Sequence, residues 1–194
     1  MKRNLFILSV FFVFVLTGCG PNTYDVVFDS KGGSLVESQV IEEETFIRIP
    51  QTSKEGHTLE GWYTSLDNGD TLDERWSFTS DVVIGDLTLY AKWIVNQYIF
   101  TFNSNGGTEV DSITLDYGVE YSGPENPYRE GYLFLGWYED EELNEPFIFS
   151  TVPANDYQLF AKWAIQDFTI SFDENGGTPI LDITQDYNTQ VTQN

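Results

Sequence analysis

The stretch Gly131–Trp163, GYLFLGWYEDEELNEPFIFSTVPANDYQLFAKW, decides how this chain is read, because its landmarks occur twice. Residues 56–93 carry the earlier copy: EGHTLEGWY aligns with EGYLFLGWY, and TLYAKW with QLFAKW. Working outward, a shorter element ahead of each copy recurs three times, as FDSKGG (28–33), FNSNGG (102–107) and FDENGG (172–177). Gly32 and Gly106 are 74 residues apart, Gly106 and Gly176 are 70 apart, and so are Ala91 and Ala161. A period of this length, marked by glycine and aromatic residues, signals one small unit copied in tandem. The 194 residues divide accordingly into a leader (1–18), a cysteine with its tether (19–23), a first unit (24–95), a second unit (96–166) and the opening of a third (167–194).

Within each unit the periodicity is that of strands. Tyr24, Val26 and Phe28 alternate with Asp25, Val27 and Asp29, as in a half-buried strand. The same phase returns at Tyr98, Phe100 and Phe102, and again at Phe168, Ile170 and Phe172. Ser30-Lys31-Gly32-Gly33 follows the first, and Asn-Gly-Gly (105–107 and 175–177) the later two, which predicts a tight turn needing positive φ that Asn and Gly tolerate. With no helix pattern and no P-loop lysine behind it, the glycine pair is not read as a phosphate cradle. A second strand is expected within 36–49, with Glu42–Glu44 at a turn and Phe46, Ile47 and Ile49 carrying the apolar signal. Thr58–Tyr63 reads as a third strand, where Gly61 marks a bulge or a close backbone approach. Thr88–Val95 closes the unit, with Leu89, Ala91, Trp93 and Val95 on one face. In the second unit, plain alternation puts Tyr132, Phe134 and Tyr138 on one side and Leu133, Leu135 and Trp137 on the other. No long amphipathic helix is legible, so the fold class is mostly β, with at most one helical turn in 37–44 or 79–85. The joints 94–97 and 164–167 hold no Gly, Pro or Ser, which predicts a semi-rigid rod of repeats. The third copy lacks the GWY and AKW strands, so it is expected to fray or to lean on unit two, and it reads as a truncated copy or as a capping piece.

Charge narrows the partners. Formal net charge is −22, and since Lys2 and Arg3 lie in the acid-free leader, the remainder carries −24. Such a chain neutralises no phosphates, which excludes nucleic acid, and it is repelled by anionic head groups. Membrane attachment therefore has to be covalent or through the leader. Aromatic residues make up 16% of the chain, and their large rings can supply core area to units too small for an easy core.

The leader, MKRNLFILSVFFVFVLTG, has two positive charges before an apolar run from Leu5 to Leu16. Twelve helical residues cover roughly 18 Å, short of a hydrocarbon core about 30 Å thick. This is an export signal rather than a span. Leu16-Thr17-Gly18-Cys19 resembles the lipobox of bacterial lipoproteins. That resemblance implies cleavage before Cys19, a thioether-linked diacylglycerol on its thiol, and enough acyl chain to hold the protein on a bilayer. Cys19 is the only cysteine, so it has no partner for a disulfide within the chain.

Catalytic parts are missing. His57 is the single histidine and aligns with Tyr132, as a packing substitution would. Clustered His and Cys ligands for zinc are absent. The acidic loops 67–70 (DNGD) and 139–142 (EDEE) match no EF-hand spacing and read as solvated. No cofactor, metal site or catalytic residue is expected.

The NGG turn, Gly131-Tyr132, Phe134, Gly136-Trp137-Tyr138 and Leu159–Trp163, taken together, resemble the Listeria–Bacteroides repeat, also seen as the internalin B-repeat. Unit one matches with Gly61-Trp62-Tyr63 and Trp93, departing where His57 and Leu59 replace the tyrosine and phenylalanine. The resemblance implies tandem β-grasp-like (ubiquitin-like) units on a bacterial surface protein, acting as spacer, adhesion or protein-interaction module, with no catalytic residues. It implies that Trp62, Trp93, Trp137 and Trp163 are core. The expected partners are the bilayer, through acylated Cys19, and a host or envelope protein or glycan. The expected location is the extracytoplasmic face of the cell membrane. The alternative is a carbohydrate- or mucin-binding surface module.

Overall fold

The computed structural model describes residues 20–191, so the leader and Cys19 lie outside the described residues. Ten strands and no helix occur among them. The first repeat holds β1 (Thr23–Asp29), β2 (Gln39–Glu42), β3 (His57–Tyr63) and β4 (Leu87–Val95) in the sheet order β2-β1-β4-β3. The second holds β5 (Gln97–Asn103), β6 (Ile113–Asp116), β7 (Tyr132–Tyr138) and β8 (Tyr157–Ile165) in the order β6-β5-β8-β7. The third opens with β9 (Asp167–Ile170) and β10 (Ile183–Asp186), an antiparallel pair.

In both complete repeats the central pair is parallel, with Phe28 opposite Leu89 and Phe102 opposite Leu159. An antiparallel partner flanks each central pair on the first strand's side, and β7 flanks β8 on the other. This mixed order is that of the β-grasp fold. The connection between the second and third strands, where that fold has its helix, is irregular here in both repeats. The mostly β tandem arrangement expected from the sequence is what the chain adopts.

The chain forms two compact units. The first gathers β1 with Val36–Gln51 and Trp62–Tyr90; the second gathers Ser30–Leu35, Thr52–Gly61 and the residues from Ala91 on. The core of the first includes Val26, Phe28, Ile41, Ile47, Trp62, Val83, Leu89 and Tyr90. Alternation selects β1 as expected, with Val26 fully buried and Val27 between its neighbours 47% exposed. Of Phe46, Ile47 and Ile49 only Ile47 is buried, because β2 ends at Glu42 and the later stretch is not a strand.

The core of the second unit is centred on Phe100, with the rings of Tyr121, Phe147 and Tyr157 at 5.6, 6.0 and 5.5 Å from it. Trp137, Val152, Leu159 and Ala161 complete it. Each such fully buried side chain is worth about 1.5–3 kcal/mol in apolar transfer, which is how a repeat of about 70 residues holds together without a disulfide. Central strands are covered on both faces: in β4 the consecutive residues Leu89, Tyr90 and Ala91 are all buried, as are Leu159, Phe160 and Ala161 in β8. Val95, expected on the core face, is exposed at the end of β4.

One correction and one further finding concern the irregular parts. In β7 Phe134 faces Trp163 and Gly136 faces Lys162, so Leu135 is an extra residue and the strand bulges there. The bulge flips the phase, and Trp137 joins Phe134 on the core side instead of opposing it, with ring centroids 5.5 Å apart. Gly136 has φ 132°, a conformation side chains rarely adopt, and nothing lies near its missing Cβ. The glycine is there for the bulge, not for a close approach. Secondly, a single turn forms at 77–81, within the one turn at most expected for 79–85, and the chain beyond it is irregular. Val83 instead ties to the turn after β2: its N–H donates to Thr45 O, and Glu44 N–H donates to Val83 O. Val152 makes the matching pair with Val119 and Gly118. Two valines from irregular loops thereby become core residues.

Candidate functional site: the tryptophan-clamped turn

The repeated residues converge on the turn after the first strand of each repeat. Lys31 and Gly32 have φ 47° and 85°, Asn105 and Gly106 have 48° and 89°, and Asn175 and Gly176 have 48° and 90°. Two successive positive values define a type I′ turn. It is closed by Gly33 N–H donating to Ser30 O and by Gly107 N–H donating to Ser104 O, each at 3.0 Å. The turn does not join the paired stretches directly, since β2 and β6 start several residues later.

Trp93 and Trp163 lie against these turns. Trp93 Nε1 donates to Ser30 O and Trp163 Nε1 to Ser104 O, both at 2.8 Å. A Cβ on Gly33 would meet the Trp93 ring at 2.6 Å, and one on Gly107 the Trp163 ring at 2.5 Å. The second glycine of the pair therefore makes room for an indole some 60 residues away. Asn105 reaches back as well, its Nδ2 donating to Ala161 O at 2.8 Å. A cation caps the turn's carbonyl in each copy: Lys54 Nζ on Lys31 O, and Arg129 Nη1 on Asn105 O.

The other signature residues fill the space beneath. Trp62 is buried edge-on to Phe28 at 5.1 Å, and Trp137 lies 4.9 Å from Phe102. Their indole N–H groups, and that of Trp76, are buried without a hydrogen-bond partner. Gly136 forms the bulge in β7, and Gly61 holds the matching place in β3. Tyr63 and Tyr138 are half-buried and bridge to Arg75 and Pro146. Lys162 sits 4.6 Å over the Tyr138 ring and donates to Leu143 O, whereas Lys92 pairs with Glu60 at 3.0 Å.

Acidic loops are organised by their own backbone. Asp67 accepts from Thr71 N–H and Ser65 Oγ, each at 2.7 Å, and these bonds hold its pKa at about 2. Asp140 accepts from Glu145 and Asn144 N–H, which lowers its pKa in the same way. Among the described residues no group of three or more His, Cys, Asp or Glu side chains could hold a metal ion. His57 meets Tyr117 edge-on at 5.8 Å, with Nδ1 2.7 Å from Glu55 O. Open clefts run beside the second unit's core, one of about 510 Å³ lined by Glu55, Tyr117, Phe147 and Tyr157 among others.

Family assignment rests on the repeats themselves. The model of the Listeria-Bacteroides repeat domain matches residues 24–92 and again 98–162. The chain belongs to the Listeria-Bacteroides repeat family. Similar proteins include two from Evansella cellulosilytica, one provisionally named a membrane protein and the other a Gly-rich membrane protein. They are 38% identical over 89% of this chain and 39% identical over 86%. Internalin H of Listeria monocytogenes is 31% identical over 80% of the chain. The aligned part makes up only 26%, 19% and 28% of those three relatives. Both Listeria-Bacteroides repeats of this chain carry the tryptophan-clamped turn.

Proposed function

We propose that this protein is a surface lipoprotein, anchored through acylated Cys19 at the extracytoplasmic face of the membrane, whose repeats act as a non-enzymatic spacer or interaction module. The observation that carries this reading is where the repeated residues are spent. Trp62, Trp93, Trp137, Trp163 and both glycine pairs serve packing and turn closure, and Asp67 and Asp140 serve loop closure. Repetition has kept a scaffold, not a reaction centre. Two relatives named as membrane proteins and one named as an internalin support a place at the envelope. The glycan-binding alternative finds less support, since no tryptophan is exposed among the described residues to stack on a sugar.

Two experiments test the proposal. Cys19→Ser should abolish incorporation of a clickable palmitate analogue and move the protein from membrane pellet to medium; retention in the pellet refutes the anchor. Deleting residues 96–166 should bring an N-terminally anchored, C-terminal epitope nearer the membrane without loss of anchoring. Specific capture of a glycan or mucin by the purified chain would instead favour the alternative.

A further inference from the structure

Consecutive repeats share a contact that the family signature does not explain. Gly56, in the turn before β3, has φ 67°, and the Tyr117 ring lies so close that any Cβ on Gly56 would fall inside it. Gly131, in the turn before β7, has φ 76° and carries the Tyr187 ring in the same way. Each tyrosine comes from the repeat that follows the glycine. Around the first ring stand His57 at 5.8 Å and Tyr98 at 6.5 Å; around the second stand Tyr132 at 6.4 Å and Phe168 at 5.9 Å.

The backbone repeats the motif bond for bond. Asn96, the single residue between β4 and β5, donates its N–H to Gly56 O and accepts Tyr117 N–H on its own carbonyl, both at 2.9 Å. Gln166, between β8 and β9, does the same with Gly131 O and Tyr187 N–H, again at 2.9 Å. Thr58 Oγ1 adds a bond to the first joint by donating to Asn96 Oδ1 at 2.7 Å. Two independent copies with the same glycine, ring and four-atom ladder are a built contact.

The first repeat shows the complementary case. Register places Glu43 where Tyr117 and Tyr187 stand, each following the residue opposite the start of the repeat's first strand (Glu42, Asp116 and Asp186). Glu43 N–H makes the equivalent backbone bond, to Asn22 O. Its carboxylate accepts from Asn22 Nδ2 and Tyr24 Oη, within its own hairpin. There is no ring at this position to seat on a glycine.

We propose that this position is a coupling site: a tyrosine knob at the end of a repeat's second strand seats in the Glu-Gly turn of the preceding repeat. The partner it selects is another repeat of this kind with glycine in that turn. A repeat with Glu here, such as the first, cannot follow another through this contact, so the order of repeats is written into one residue. Coupling of this kind needs only tandem repeats and holds whether or not the protein is a surface spacer.

Amide hydrogen exchange on the full chain in detergent, read by NMR, tests the coupling. Tyr117→Ala should raise exchange at the Asn96 and Tyr117 amides at least tenfold and leave the Phe100 amide unchanged. Tyr187→Ala should do so only at Gln166 and Tyr187. Tyr117→Phe should keep wild-type protection, because it is the ring that seats. Gly56→Ala should lower the thermal midpoint, and lower it less when combined with Tyr117→Ala, since only backbone strain then remains. Unchanged protection in Tyr117→Ala, or strict additivity of Gly56→Ala and Tyr117→Ala, would overturn the proposal.

Discussion

Two tryptophans of the second repeat lend themselves to one comparison, Trp163→Phe against Trp137→Phe. Replacing an indole by a phenyl ring removes roughly 40 Å² of apolar surface, about 1 kcal/mol at 25 cal/mol per Å². The polar contributions then diverge. Trp163 Nε1 donates to Ser104 O at 2.8 Å, and losing that bond costs about 0.5–1.5 kcal/mol more. Trp137 is more buried, 4% exposed, but its N–H has no partner. Removing such an orphan donor recovers about 1–3 kcal/mol of desolvation. Trp163→Phe should therefore destabilise by about 1.5–2.5 kcal/mol. Trp137→Phe should fall between neutral and about 2 kcal/mol stabilising, although burial alone ranks the two the other way. Urea unfolding followed by far-UV circular dichroism gives both values without relying on indole fluorescence. If Trp137→Phe costs as much as Trp163→Phe, the orphan donor is no liability and the reasoning fails.

Three further outcomes are expected. Gly136→Ala should cost about 1–3 kcal/mol through backbone strain alone, because the site has room for the methyl, and a thermal melt indistinguishable from wild type would contradict the bulge. Asp67, with its folded pKa lowered to about 2, contributes stability that is fully present above about pH 4 and is lost as pH falls through about 2. Acid titration of the Thr71 amide by NMR should track that loss, and Asp67→Asn should abolish it. Asp186 has the opposite sign: its hydrogen bond with Asp167 raises its pKa, so its contribution is present at acid pH and is lost as pH rises through the folded value. Asp167→Gln should remove this dependence from β9–β10 amide exchange, because Gln97 in the same register already donates to Asp116 at 2.8 Å.

Much of the fold could be read directly. The repeat period, the positions of β1, β3 and β4, the buried face at Val26 and Phe100 and the positive-φ turn at Asn105-Gly106 all follow from local rules. Strand alternation depends on nearest neighbours, and a type I′ turn depends on two residues, so both are properties of short sequence. Placement of Trp137 was not legible, because one bulged residue reverses the phase of everything after it. Val83 and Val152 carry no periodic signal, as they enter the core from irregular loops.

What only the tertiary structure decided shares one feature: the reason for a residue lies far along the chain. The second glycine at 33 and 107 is explained by Trp93 and Trp163, and the glycine at 56 and 131 by a tyrosine from the next repeat. In sequence these glycines look like turn formers, which the first of each pair is. Gly33 and Gly107 meet rings only when the parallel central pair brings the start and the end of a repeat side by side, and Gly56 and Gly131 only when the bonds at Asn96 and Gln166 join them to the next repeat. Local conformational preference set where the chain turns and extends; long-range close packing set which of those positions could bear no side chain at all.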